Sequence, residues 1–497
     1  MLTTMEQEDL INKIAELGGK GLKDEDILYE GQKLILPESF KGQLNKAIEF
    51  LALRMAEEDE EASFSRKFNY RPWDGGLCAY RALKKAFGMV HGKTSHSFFG
   101  KRPPEYIHVP ISPTETEEVP WGQFQIPLLD NTIIRFGATQ DKEYGIVFQI
   151  QVQAPRKYRF VVEGLFKLVA DELATGSIYR GHAIDGQETP QFLDLRGLDA
   201  SKVVYSEQVQ ADLEAHIWAP MRYATAHREL GLPLKRAILL DGTYGTGKSL
   251  AGYLTARVAE QCGWTFIMAR PGRDNFLQVM QTARLYQSPE RGAIVFFEDA
   301  ESVTSVDQTD MISQVLDTFD GIQAKDTSIM VVLTTNHPEL IHKAMHRPGR
   351  VDAQITIGEL DAVGIEKLVR VSIPADRMSV EIDFAPIVAA CKGYVPAFVK
   401  EAADRSLRYA LARNGGQLDG QLISTQDLVH AANGLRPQFI RMNEATESST
   451  AEKPLSLVIK DATKSAVAAL ATKEPTEDFT ENIWDMEAVE AAQNNHN

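Results

Sequence analysis

Residues 242–249 read Gly242-Thr243-Tyr244-Gly245-Thr246-Gly247-Lys248-Ser249, a complete Gly-x-x-x-x-Gly-Lys-Ser run. These residue types at this spacing can hold a phosphate chain. The glycines let backbone N–H groups close around phosphate oxygens where a Cβ would obstruct. Lys248 brings a cation to the β- and γ-phosphates, and the Ser249 hydroxyl can ligate Mg²⁺. The flanks give the run its context. Arg236–Asp241 is a short apolar segment of strand length, and from Leu250 onward Leu250-Ala251-Gly252-Tyr253-Leu254 begins a helical pattern whose positive end faces the loop. The competing reading is a glycine-rich surface turn that happens to contain Lys-Ser, and the strand–loop–helix order argues against it. The expected cofactors are ATP and Mg²⁺, contacted by residues 242–250.

The rest of such a site must arrive on other strands. Ala293-Ile294-Val295-Phe296-Phe297 is wholly apolar and ends in Glu298-Asp299, with Glu301 beyond. A buried parallel strand delivering acids at its C-terminal end can supply a metal-side carboxylate and a water-activating base. A strand that merely ends in solvated acids is the plainer alternative. Ser328–Thr335 is a third apolar strand, and Asn336 at its end can orient an attacking water or sense the γ-phosphate. Then come Arg347 and Arg350 around a Pro-Gly turn, in His346-Arg347-Pro348-Gly349-Arg350-Val351-Asp352. Guanidinium groups there suit bidentate contact with the phosphate of a neighbouring subunit.

This order of elements resembles the AAA ATPase family, in particular the branch of proteasomal ATPases and membrane-anchored AAA proteases. The resemblance covers about residues 203–436. Pro233–Leu240 is similar to the family's lead-in to the phosphate loop, and Leu316–Ile322 to its intersubunit Asp-Gly element. Thr334–Glu339 followed by His346–Asp352 is similar to its second region of homology. Gly393-Tyr394-Val395-Pro396-Ala397-Phe398 stands where the family has its Gly-Phe-Ser-Gly-Ala turn, which places Ala397 against the nucleotide. The resemblance implies a hexameric ring of identical subunits that couples ATP hydrolysis to remodelling of a protein substrate. It also implies recognition of that substrate or an adaptor by the region before the ATPase.

Three features depart from the family. The acid pair is Glu298 then Asp299, where the family has Asp then Glu. By position Glu298 takes the metal-side role and Asp299 the base role, and the shorter side chain is expected to slow hydrolysis, since ~1 Å of misplacement can cost a hundredfold. Second, the strand Trp264–Met268 runs through Ala269-Arg270-Pro271-Gly272-Arg273-Asp274-Asn275 into a helix at Phe276–Tyr286, with no aromatic–aliphatic–Gly pore tripeptide. Phe276 is a candidate pore aromatic, but its spacing with Val279, Met280 and Ala283 favours core packing. Third, Pro396-Ala397 replaces Gly-Ala in the lid. No His-Glu-x-x-His occurs, which excludes a metallopeptidase of that motif within this sequence.

These elements belong to an α/β phosphate-loop NTPase: a parallel sheet with a helical lid, preceded by an α+β domain. The expected layout is a helical segment over 1–65, the α+β domain over 66–195, the ATPase core over 203–372, the lid over 373–436 and a disordered tail over 437–497. Gly145–Val152 alternates as a strand and Asn131–Phe136 is its expected hairpin neighbour. Tyr70–Gly76 and Tyr179–His182 are turn-like and carry no assignable chemistry. Asp194–Lys202 reads as a linker. The 497 residues carry a formal net charge of −16 and three distant cysteines, Cys78, Cys262 and Cys391. That balance argues against a nucleic-acid motor, and the cysteine spacing against a disulfide framework or zinc site. No apolar run reaches the ~20 residues of a membrane helix, so a cytoplasmic location is expected. Besides the remodelling enzyme, a slow-hydrolysing, nucleotide-gated assembly switch fits the swapped acids and the shortened pore segment.

Overall fold

Ala237–Leu240, Phe266–Met268, Ile294–Phe297 and Met330–Leu333 contain no polar side chain, a pattern that suits strands buried on both faces. In a computed structural model of the chain all four are strands of one sheet. The structure describes residues 56–451 apart from 89–90, 93, 98–99, 126–131, 271–272, 288–289, 300–327, 338–350, 380, 414 and 417–422. The part before residue 56 of the segment expected to be helical, Glu301, Leu316–Ile322, Arg347, Arg350 and the tail beyond 451 therefore lie outside the described residues. A boundary between two compact units falls after Gly434; the two sheets and the nucleotide cavity belong to the first, and only the last described helix runs across the boundary.

The N-terminal region is an antiparallel sheet of five strands: β1 (Glu61–Phe68), β2 (His91–Gly92), β3 (Gln123–Gln125), β4 (Ile133–Asp141) and β5 (Gly145–Pro155), in the order β1-β5-β4-β3-β2. Glu61 to Ser65, read from sequence as the end of a helical segment, instead pair with Pro155 to Gln151 as the edge strand β1. The helices α1 (Pro72–Phe87) and α2 (Arg159–Gly176) pack together over the face that buries Phe136, Phe148, Ile150 and Val152.

The second sheet is parallel throughout. Its strands are β6 (Ala183–Asp185), β7 (Arg236–Asp241), β8 (Thr265–Ala269), β9 (Ala293–Phe297), β10 (Ile329–Thr335) and β11 (Ala353–Thr356), in the order β6-β8-β9-β10-β7-β11. Strand β7 lies between β10 and β11, so the loop leaving its C-terminal end opens at the edge shared with the ends of β9 and β10. Strand β6 lies in the segment assigned from sequence to the N-terminal domain, yet it pairs with β8. Helices α3 (Glu207–Leu213), α4 (Lys248–Cys262) and α5 (Phe276–Tyr286) follow. The lid holds α6 (Ala362–Ser372), α7 (Phe384–Ala390), α8 (Pro396–Arg413) and α9 (Thr425–Ala451). It thus begins before residue 373, because α6 packs on α8, and its last helix runs past residue 436.

The two turn-like motifs of the N-terminal half meet at the joint between the sheets. The buried Arg71 guanidinium donates from Nη1 to the Ile146 carbonyl (3.0 Å) and from Nη2 to the Gln278 carbonyl (3.1 Å) and the Thr282 hydroxyl. Asp74 accepts from the Ser177 hydroxyl (2.7 Å) and the Ile178 N–H (2.9 Å). Arg180 donates to the Tyr70 hydroxyl (2.8 Å), while Tyr179 packs edge-on against Tyr286. Trp73 packs on Trp121, with ring centroids 5.1 Å apart.

Burial raises the Asp74 carboxyl above the ordinary carboxylate range, although its hydrogen bonds pull the other way. The native state therefore holds this proton to higher pH than the unfolded chain, and stability falls as pH rises from the ordinary carboxylate value through the raised one. Asp74→Asn keeps an acceptor for the Ile178 N–H and removes the charge. Its melting temperature relative to the parent should move in the variant's favour between pH 4 and pH 7. A difference that is flat with pH would contradict the buried, raised carboxyl.

Candidate nucleotide site

The turn between β7 and α4 closes on itself only because of its glycines. Gly242 (φ +155°) passes so near the chain that a Cβ would lie 2.1 Å from the Ile357 carbonyl oxygen, and at Gly245 (φ +81°) it would lie 2.9 Å from the Ala397 Cβ. The second approach joins the loop to the lid, where the Ala397 N–H donates to the Gly245 carbonyl (3.1 Å). Thr246 is fully buried and donates to the Thr243 carbonyl (3.0 Å). Gly247 caps α4, whose first residues are Lys248 and Ser249.

Lys248 is the centre of the arrangement. Its ammonium, on a side chain only 6% exposed, donates to the Gly242 carbonyl (2.6 Å), the Thr243 carbonyl (3.0 Å) and Asn336 Oδ1 (2.6 Å). Asn336 in turn donates from Nδ2 to Asp299 Oδ1 (3.2 Å). Three sequence candidates, one from the start of α4 and two from the ends of β9 and β10, thus form one chain, Lys248–Asn336–Asp299. Asp299 leaves β9 with φ +49°, the only described non-glycine residue at positive φ, and the Thr334 hydroxyl fixes it by accepting its N–H (2.9 Å). That bend turns its carboxylate into the cavity.

Glu298 goes elsewhere. Its N–H continues the sheet by donating to the Ala269 carbonyl (3.0 Å), and its carboxylate pairs with Arg270 (Nε to Oε2, 3.2 Å). The structure therefore brings Asp299, Asn336, Lys248, Ser249, Leu250, Tyr244, Gly245, Thr246, Gly247 and Ala397 to one cavity of about 640 Å³, and Glu298 is not among the residues lining it. Arg347 and Arg350 fall outside the described residues, but the end of their motif is anchored. Asp352 donates its N–H to the Ala237 carbonyl, and its carboxylate accepts the Ala237 N–H, both at 2.8 Å.

The segment at the pore position is tied down. Arg273 pairs with Asp185 (2.7 Å) and Asp274 (3.4 Å), and Asp274 accepts the Arg270 N–H (2.9 Å). Phe276 packs on Phe297 with centroids 5.2 Å apart, so the core reading of its spacing fits the fold.

Sequence reasoning missed the wall that residues 197–205 supply. Leu198 lines the cavity from the stretch read as linker, and Val203, Val204 and Tyr205 from the start of the expected ATPase core. The Tyr205 hydroxyl donates to the Gly247 carbonyl (2.9 Å). The signal was present in Leu193, Leu195 and Leu198, whose apolar side chains pack on the core. Lys400 and Leu368 line the same cavity from the lid. At one end the cavity offers apolar walls for a flat base; at the other, backbone N–H groups, a helix N-terminus and a cation for phosphates. The fit of a nucleoside triphosphate rests on that combination, and the Ser249 hydroxyl lies in the lining as an oxygen donor for Mg²⁺.

Residues 238–359 match the model of the family "ATPase family associated with various cellular activities (AAA)". The match covers 122 of the 497 residues and assigns this segment to the AAA ATPase family. Among its relatives, ATPase family gene 2 protein homolog B of Homo sapiens is 27% identical over 238 residues, 45% of this chain and 31% of the relative. ATP-dependent zinc metalloprotease FtsH 2 of Symbiobacterium thermophilum is 27% identical over 246 residues, 45% of this chain and 39% of the relative. Protein CdcH of Halobacterium salinarum is 24% identical over 251 residues, 45% and 33%. The match spans about a third of each relative's length. The matched segment contains the phosphate loop, and among the described residues no helix is long and apolar enough to cross a membrane.

Removing the ammonium at the centre of the cradle should abolish tight ATP binding. Lys248→Ala is expected to show no saturable ATP binding in a calorimetric or fluorescence titration at concentrations that saturate the parent. Equal affinities would sink the assignment of this cavity.

Proposed function

We propose that this AAA protein binds Mg·ATP in the cavity above Lys248, hydrolyses it, and assembles with copies of itself to remodel a protein substrate. The observation that carries the reading is the hydrogen-bonded chain Lys248–Asn336–Asp299, which links the phosphate-loop cation to an acid through the amide at the end of β10. When the γ-phosphate is bound, the Lys248 ammonium neutralises its charge. Asn336 holds the attacking water in line, and Asp299 accepts its proton. Ser249 would hold Mg²⁺, with Glu298 available to the metal side if it leaves Arg270, and the metal would supply neutralisation of phosphate charge.

Arg347 and Arg350 act on the neighbouring subunit's ATP, so turnover depends on assembly, expected as a hexamer. The N-terminal sheet presents the surface for a substrate or adaptor. A second reading, a slow-hydrolysing assembly switch, is favoured by one observation: Glu298 is engaged by Arg270 and Asp299 has the shorter side chain of the two acids.

Two outcomes test the reading. Asp299→Asn should retain ATP and Mg²⁺ binding and lower turnover by ~10²-fold or more; if Glu298→Gln behaves that way while Asp299→Asn loses metal, the two roles are reversed. Arg350→Ala should keep nucleotide affinity and lose ~10³-fold or more in hydrolysis. The parent's specific activity should rise with protein concentration as subunits assemble, and stimulation by an unfolded protein should exceed that by nucleic acid. A specific activity that stays flat down to concentrations where sedimentation finds monomers would refute arginines acting in trans.

A further inference from the structure

Arg71 stands just before α1 and reaches across the joint to a single face of α5. Gln278, Thr282 and Tyr286 recur every four residues, so they line one side of that helix. Arg71 meets all three. Its Nη2 donates to the Gln278 carbonyl (3.1 Å) and the Thr282 hydroxyl, and its backbone N–H donates to the Tyr286 hydroxyl (3.1 Å). Its Nη1 donates to the Ile146 carbonyl of β5 (3.0 Å), so one guanidinium fastens the first sheet to α5. Gly145, beside it, leaves no room for a side chain against Gln281 of the same helix.

This grip is a poor source of stability. The guanidinium belongs to a residue only 1% exposed, its acceptors are neutral, and among the described residues its Nε has no hydrogen-bond partner. A buried cation held in that way stabilises less than apolar packing of similar volume. Apolar packing is already present, since Leu77 and Val147 share one core with Val279, Met280 and Ala283 of α5. What the hydrogen bonds add is a fixed position for the helix. On its other side α5 packs on β8 and β9, and Phe276, its first residue, lies against Phe297. Phe276 is two residues from Gln278, and Phe297 is two residues from Asp299.

We propose that Arg71 is a positioning residue for Asp299. It fixes where α5 lies, and α5, through Phe276 on Phe297, fixes the end of β9 from which Asp299 bends into the nucleotide cavity. The N-terminal region thereby sets the rate of turnover without touching the nucleotide. This inference rests on the assignment of ATP hydrolysis to that cavity.

The test measures ATP binding stoichiometry and steady-state hydrolysis on the full chain, with the rate expressed per bound ATP, so that a loss of folded protein cancels. Turnover by the parent that vanishes in Lys248→Ala establishes the reaction itself. Thr282→Val removes one acceptor of Arg71 and keeps the side chain's shape. It should lower turnover per bound ATP about tenfold, the scale of a sub-ångström displacement where ~1 Å can cost a hundredfold, and change ATP affinity by less than about twofold. Arg71→Lys, which lacks the planar fork, should fall in the same way, and Thr282→Ser should keep the parent's rate. Arg81→Gln is the control: it breaks the pair with Glu117 inside the N-terminal region and should leave turnover per bound ATP unchanged. Parental turnover in Thr282→Val, or an equal loss in Arg81→Gln, would overturn the proposal and leave the reaction standing. A parent that binds ATP without turning it over would remove the assignment of hydrolysis, and the inference with it.

Discussion

The buried ammonium of Lys248 is the constraint around which the nucleotide module is organised. Taking such a charge out of water is worth several kcal/mol against folding, and here three acceptors at 2.6–3.0 Å offset it. Two are loop carbonyls, which can turn inward only because Gly242 and Gly245 occupy positions where a side chain has no room. The third, Asn336, comes from the end of β10, so the loop's conformation depends on the register of β10 beside β7. A bound nucleotide enters this network as a competitor for the same ammonium. Binding must therefore loosen Lys248 from Asn336 or extend the network through it, and either way Asp299 feels the change through the Asn336 amide.

The strands and the loop were legible in the sequence because their determinants are local. A run such as Ala293–Phe297, apolar at every position, has few places to go except a sheet covered on both faces, and a glycine-lysine-serine turn between strand and helix has few other uses. Less legible were features whose cause lies far away in sequence. Ala183–Asp185 is too short to announce itself, and it becomes a strand through pairing with β8, whose sequence position is some eighty residues on. Leu193, Leu195 and Leu198 looked like linker because they pack on the distant core and not on each other. The course of Glu298 was unreadable for a different reason: whether a strand-end acid faces the cavity or a neighbouring arginine depends on the bend at Asp299.

The N-terminal half illustrates the same point on a larger scale. Tyr70–Gly76 and Tyr179–His182 carried no readable role, since each supplies half of a polar joint. Across that joint Arg71 binds the carbonyl of Gln278 and the hydroxyl of Thr282, both on α5. Helix α5 begins just after the segment where the resemblance leads one to expect a pore tripeptide. In this chain Arg273 ties that segment to Asp185 on β6, and Arg270 ties it to Glu298. A loop held at both ends by ion pairs, and leading into a helix clamped by a buried guanidinium, is suited to transmitting displacement between the nucleotide site and the N-terminal sheet.

The order of the two acids follows from this arrangement. In the usual order a short acid meets the metal and a long one reaches the water; here the long acid comes first and is occupied by Arg270, 3.2 Å away. A glutamate can span the distance from the end of β9 to the side chain that follows β8, where an aspartate, one methylene shorter, would strain to do so. The second position then needs an acid that can be brought close to the amide of Asn336, and positive φ at Asp299 achieves this by moving the backbone instead of lengthening the side chain. Aspartate is among the few non-glycine residues that tolerate that conformation. The exchange of Glu and Asp is thus consistent with the local geometry on both counts: the longer side chain reaches sideways to the neighbouring strand's end, and the shorter one occupies the bend.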